Sequence, residues 1–294
     1  MKQKFHGTGV AIVTPFRKYG TVDFNSLENL IEHIISNGVD YIVALGTTGE
    51  SATLSSDEKN AIVEFVMDTV NKRVPVVVGA GGNHTASVVK SVKDLNEKQV
   101  DGILSVAPYY NKPQPKGLYY HYKNIASATD LPVILYNVPG RTGTNIPADI
   151  TLQLAYDVEN IVAIKEASGD LNQIETIIKD KPEDFSLISG DDGLTLPLIA
   201  MGASGVISVT ANAFPKQFVK LVNNALENDF QTAREVHYQL KDIMDSLFAD
   251  GNPAGVKAAL DELGIIKNNL RLPLVKVNKG VNTLIKKALA DFAG

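Results

Sequence analysis

Short apolar runs recur along the chain at residues 8–13, 40–45, 75–80, 101–106, 131–137, 160–164, 185–189 and 204–209, with starts 19 to 35 residues apart. Each is rich in Val, Ile and Leu and is continuous rather than alternating, the pattern of a strand in a parallel sheet buried on both faces. Between the runs, apolar residues recur at helical spacing, as in Phe24, Leu27, Leu30, Ile31 and Ile34, then Ile62, Phe65 and Val66. Ser55 followed by Glu58 reads as a capping box, and Asp170 as the cap of a second helix. Gly38 and Gly202 fall where helices should stop. Eight strand–helix units predict an α/β fold, a closed (β/α)8 TIM barrel over residues 1–225, followed by a C-terminal helical extension over 226–294. The rival open, doubly wound sheet would use fewer strands and carry a glycine fingerprint after the first. Here the first run ends in Thr14-Pro15-Phe16.

Composition narrows the function classes. The chain has 294 residues, 44% apolar and 21% charged, which is ordinary for a soluble globular protein. With 28 basic and 33 acidic residues the net charge is −5, so no basic face is expected to track a nucleic-acid backbone. The absence of cysteine excludes disulfides, thiolate metal sites and a cysteine nucleophile, and the five histidines show no metal-ligand spacing. The longest uncharged stretch, 193–215, contains Pro197, Gly202 and Gly205 and reads as a buried helix and strand, not a membrane span. The opening residues lack the apolar segment of a signal peptide. A cytoplasmic location is expected.

In a barrel of this kind the chemistry sits at the C-terminal ends of the strands. Those ends carry Thr47 and Thr48, Tyr109 and Tyr110, Tyr136 and Arg141, Lys165, and Gly190-Asp191-Asp192. Lys165 follows Ile161-Val162-Ala163-Ile164 and is expected at the barrel mouth, just past the strand end, with apolar layers beneath it. A solvated strand-end lysine is one reading. The other is an imine-forming amine, whose neutral form partial desolvation favours. Tyr136 on the adjacent strand suits a proton shuttle, and Thr47 and Tyr110 extend it as a hydroxyl relay; rim packing is the plainer reading of the tyrosines. Residues 79–84 imitate a dinucleotide loop but have His84 where the last glycine belongs, and 46–50 lack the Gly-Lys-Ser/Thr of a phosphate loop. The Asp191-Asp192 pair reads as a helix N-cap rather than a Mg²⁺ site. No metal and no organic cofactor are required.

Three motifs carry a resemblance when taken together. They are Gly-Thr-Thr-Gly-Glu-Ser at 46–51, Tyr-Asn-Val-Pro-x-Arg-Thr at 136–142 and Ile-Lys-Glu-Ala-Ser-Gly at 164–169. The chain resembles the pyruvate-dependent Schiff-base lyase superfamily that includes N-acetylneuraminate lyase, and within it the dihydrodipicolinate synthase family. The resemblance runs from Gly9-Val10-Ala11 through the 205–212 block and into the helical tail. It implies a lyase of the lysine and diaminopimelate pathway that condenses pyruvate with L-aspartate 4-semialdehyde to give 4-hydroxy-tetrahydrodipicolinate. In that scheme Lys165 forms the imine and Tyr136 moves protons, with Thr47 and with Tyr110 reaching in from a neighbouring subunit. Thr48 and the backbone at Ile207 hold the pyruvate end, Gly190 lines the same side, and Arg141 holds the semialdehyde carboxylate. Arg141 also separates this reading from a sugar-acid or sialic acid aldolase, and the relay residues separate it from a non-catalytic binding barrel. The resemblance further implies a homo-oligomer, a homotetramer with a dimer as the alternative, and no membrane or nucleic-acid partner. Lysine-inhibited relatives place a glutamate and a histidine where this chain has Ser87 and Lys59, so weak or absent feedback by L-lysine is expected.

Overall fold

A computed structural model describes residues 5–293. The apolar runs fold as β1 (Gly7–Ala11), β2 (Tyr41–Ala44), β3 (Val76–Gly79), β4 (Gly102–Val106), β5 (Val133–Asn137), β6 (Ile161–Glu166), β7 (Ser186–Ser189) and β8 (Gly205–Ser208). The segments between them hold α1 (Phe24–Ser36), α2 (Ser56–Val70), α3 (Thr85–Asn96), α4 (Pro115–Ala126), a single turn α5 (Pro139–Thr142), α6 (Ala148–Asp157), α7 (Leu171–Asp180) and α8 (Thr195–Met201). After β8 come α9 (Pro215–Leu226), α10 (Phe230–Phe248), α11 (Ala254–Glu262) and α12 (Lys279–Ala293). The strands pair in parallel in chain order, and β8 closes onto β1, so the sheet is the barrel that the pattern predicts. At the seam Gly205 has φ +146°, and a Cβ there would stand 2.0 Å from the Gly7 carbonyl oxygen; only a residue without a side chain lets the two strands meet.

Both faces of every strand are buried, which is why the runs are continuous. Tyr41, Val43, Val77, Leu104, Ile134, Ala163, Ile188 and Ile207 fill the barrel interior. Their chain neighbours, such as Ile42, Val78, Ile103, Leu135 and Ile164, face the helices and join the larger outer core. The expected caps form: Ser55 Oγ accepts from the Glu58 N–H, the Glu58 carboxylate accepts from the Ser55 N–H, and Asp170 accepts from the N–H groups of Asn172 and Gln173. Gly38 and Gly202 take positive φ at their helix ends.

One strand differs from expectation in a way that matters. The pattern ends the sixth run at Ile164, whereas β6 continues to Glu166 and takes Lys165 into the sheet. The register between β5 and β6 also shifts: Val133 opposes Ile161, but Ile134 opposes Ala163, so Val162 is the extra residue of a bulge. Val162 and Ala163 therefore both turn toward the interior cluster. Beyond the bulge Lys165 is level with Tyr136 and Glu166 with Asn137. Without the extra residue, Ile164 would oppose Tyr136.

Candidate active site

A cavity of about 520 Å³ opens at the C-terminal ends of the strands. Thr47, Thr48, Tyr136, Arg141, Lys165 and Gly190 all line it, so six of the eight residues expected at the site converge on one space. Lys165 is 5% exposed, and its Nζ stands 4.4 Å from the centroid of the Tyr136 ring, itself buried. Among the described residues no carboxylate forms an ion pair with Lys165. The solvated strand-end reading is thereby corrected: bulge and register carry the amine inward, against an aromatic face. Gly190 makes room for it. A Cβ at 190 would stand 3.0 Å from Lys165 Cε and 2.7 Å from Ala167 Cβ, so any larger residue would push the lysine stem aside.

Thr48 and Arg141 are tied together by Asn252, from the segment between α10 and α11. Asn252 Nδ2 donates to Thr48 Oγ1 at 2.9 Å, and Arg141 Nη2 donates to the Asn252 carbonyl at 3.2 Å. With one lone pair of Thr48 engaged, its O–H proton is free for an anion in the cavity. Arg141 itself lies on the exposed rim, with most of its guanidinium fork available. Three carboxylates share the lining, and each is occupied elsewhere. Asp191 accepts from the Gly193 and Leu194 N–H groups, and Asp245 pairs with Lys241. Asp192 is buried and accepts from the N–H groups of Val209 and Thr210 and from Thr210 Oγ1 at 2.6 Å. Burial raises its carboxyl above the ordinary range, opposed by those hydrogen bonds. α8 starts from Leu194 without a side-chain cap, so the N-cap reading fails for both residues: Asp191 closes the turn that precedes the helix, and Asp192 ties the β7 turn to the end of β8. The uncommitted charge facing the cavity is positive.

The turn bearing both threonines is clamped from below. Its backbone closes through Gly49 N–H to Gly46 O and Glu50 N–H to Thr47 O, and Thr14 Oγ1 donates to Gly49 O. Glu50, at the end of the turn, forms a fully buried ion pair with Lys257 of α11. Burial pulls the Lys257 ammonium down to about 8 against the opposing pull of Glu50. Lys257 also donates to the Asn269 carbonyl and lies over the Phe16 ring, while the Arg271 N–H donates to the other Glu50 oxygen.

Two expected site residues lie outside the cavity lining. Ile207 is buried in β8 among the interior side chains. Tyr110 is 89% exposed and projects from the loop after β4 with φ 74°. That loop is held by Asn83 Nδ2 donating to Tyr109 O and by Asn111 Nδ2 donating to Asn83 O. The pattern along the chain missed Asn252, Met244, Asp245 and Phe248, which roof the cavity from the C-terminal helices. No local signal marks them, because they meet the strand-end residues only through the packing of the C-terminal helices over the barrel mouth. Asn137 and Glu166, the chain neighbours of Tyr136 and Lys165, form a second buried pair at the two strand ends. Among the described residues no cluster of three or more metal-ligating side chains occurs, and no helix is long and apolar enough to cross a membrane.

Comparison with known proteins agrees with this geometry along the whole chain. The profile of the Dihydrodipicolinate synthetase family matches residues 4–291. A 4-hydroxy-tetrahydrodipicolinate synthase of Parabacteroides distasonis is 51% identical over 287 residues, 98% of this chain and 97% of that one. The crystal structure of dihydrodipicolinate synthase from Thermotoga maritima superposes with a TM-score of 0.97 at 42% identity, covering 99% of both chains. A monomeric dihydrodipicolinate synthase variant superposes equally well, with a TM-score of 0.97 at 42% identity over 99% of this chain and 97% of that one. The lysine-bearing barrel described above belongs to the dihydrodipicolinate synthetase family.

Proposed function

We propose that this chain is a Schiff-base lyase that condenses pyruvate with L-aspartate 4-semialdehyde to give 4-hydroxy-tetrahydrodipicolinate, the committed step toward diaminopimelate and lysine. The observation that carries the reading is the buried Lys165 amine, held over Tyr136 at the floor of a cavity that has Arg141 on its rim. The Lys165 nitrogen adds to the pyruvate C2 carbonyl, and the carbinolamine loses water to leave an iminium. A proton then leaves the methyl carbon, giving the enamine. The enamine carbon attacks the aldehyde, and the semialdehyde's own amine displaces Lys165 by transimination as the ring closes. Every step moves a proton, which is the task assigned to Tyr136 with Thr47 and a neighbouring subunit's Tyr110. The free Thr48 hydroxyl and the β8 backbone at Ile207 hold the pyruvate carboxylate, and Arg141 receives the second carboxylate in a bidentate fork. The reaction needs no cofactor. A cysteine-free chain suits the reducing cytoplasm, and the exposed Tyr110 loop suits a homo-oligomer whose smallest active unit is a dimer.

Borohydride reduction in the presence of pyruvate, followed by peptide mass mapping, tests the assignment. One adduct is expected, on Lys165, and none on the Lys165→Ala variant. Modification spread over surface lysines, or an unmodified Lys165, would overturn it.

A further inference from the structure

Behind the reacting pair lies a second pair that the reaction scheme does not use. Side chains alternate along a strand, so Tyr136 and Lys165 face the cavity while their neighbours Asn137 and Glu166 face the helices. Both neighbours are fully buried. The Glu166 carboxylate accepts from Asn137 Nδ2 at 3.1 Å to each oxygen, from the Ser168 N–H at 2.8 Å and from Gln173 Nε2 at 3.0 Å. Among the described residues all of these donors are neutral. Asn137 and Gln173 are themselves fixed: Asn137 accepts from the Ile146 N–H and donates to Asn145, and Asn145 and Gln173 donate to one another. A carboxylate buried without a cation is costly, because neutral dipoles replace only part of its hydration. Its uncancelled field extends through a low-dielectric strand toward the nitrogen one residue away.

We infer that Glu166 is the buried counter-charge of Lys165, acting through the strand and without touching substrate to favour the cationic iminium over the free amine and pyruvate. The inference rests on Lys165 being the imine-forming residue. The charge is suitably placed because the amine has no ion-pair partner inside the cavity. Its other ionisable neighbours there are Tyr136 and Arg141 from β5 and α5, Asp191 and Asp192 after β7, and Asp245 of α10. The residues that bond to Glu166, from β5, from the turn after β6 and from α7, carry no charge. When the amine condenses with the ketone, water leaves and the nitrogen keeps a positive charge; a fixed anion behind the strand favours that state and also the protonated amine that precedes it.

The test is the pH dependence of pyruvate-imine formation, read by borohydride trapping, in the native protein, Glu166→Gln and Gln173→Lys. The first variant removes the charge and keeps the side-chain shape; the second sets an ammonium beside it at a partly exposed position on α7. In both, the rise of trapping rate with pH should move to lower pH by about one unit, the effect of one charge roughly 10 Å away at an effective dielectric of about 20. A role confined to holding the strands would lower kcat and leave that midpoint in place. Circular dichroism establishes that each variant is folded, and Gln173→Lys decides the matter if Glu166→Gln is not. An unmoved midpoint in folded variants, or a move to higher pH, overturns the inference, whereas absence of any adduct in the native protein overturns the function on which it rests.

Discussion

Arg141 and Lys165 show how two cations in one site take different work from their surroundings. Lys165 is enclosed, touches an aromatic face and occupies the space that Gly190 leaves open, an arrangement suited to covalent chemistry at one nitrogen. Arg141 is on the rim, braced by the Asn252 carbonyl, and suits reversible capture of an anion. Arg141→Ala should therefore still trap pyruvate on Lys165 while losing use of the semialdehyde. A hydrogen bond to a charged group contributes about 1.5–3 kcal/mol, so kcat/KM for that substrate should fall by roughly one to two decades. Steady-state kinetics with each substrate varied separately would show it, and a variant with native kcat/KM for the semialdehyde would refute the role.

Among the elements, the turn after β2 depends on a helix more than 200 residues away. The buried Glu50–Lys257 pair joins that turn to α11. Removing one partner of such a pair strands the other charge, at about 3–5 kcal/mol. Lys257→Met should lower Tm by roughly 5–8 °C for a chain of this size, and adding Glu50→Gln should recover much of the loss. An unchanged Tm in the single variant would show that the clamp is dispensable. A second element-level device lies between α3 and α4, where His121 Nδ1 meets Thr85 Oγ1 at 2.8 Å. Burial holds the His121 imidazole down to about 4, and His33 and His237 are lowered by the same cause. Between pH 6.5 and 4 the unfolded chain binds a proton at residue 121 that the native chain refuses, so stability falls as pH falls across that window. The loss from this residue is about 3 kcal/mol, and His121→Gln should flatten the acid side of a urea-stability profile by that amount. A profile identical to that of the native protein would contradict the assignment.

At the scale of the whole molecule, the barrel supplies its own lysine, threonines and arginine but leaves Tyr110 outside its own cavity. A bulky residue held at positive φ by two asparagine hydrogen bonds stores strain, and such strain concentrates at functional sites. The proposed dimer uses it across the interface. Mixing Tyr110→Phe with Lys165→Ala should restore activity that neither variant has alone, because one site of each mixed dimer then contains both native residues. If subunits exchange, as followed by native mass spectrometry, and activity stays absent, the tyrosine serves its own barrel as a lid.

The hydrophobic pattern by itself determined the barrel, its eight strands and the side on which the chemistry sits, because parallel strands buried on both faces need continuous apolar runs and put their loops at one end. The polar residues between the runs determined the helix caps, since Ser55, Glu58 and Asp170 bond within one turn. The motifs determined six residues of the cavity. Only the tertiary structure decided that Lys165 lies inside the sheet, since a bulge at Val162 sets the register and a one-residue slip would turn every later side chain to the opposite face. Only the tertiary structure brought Asn252 to Thr48 and Arg141, and Lys257 to Glu50. Those contacts join residues more than 100 positions apart, and periodicity reports which face of an element is buried without reporting what it meets there.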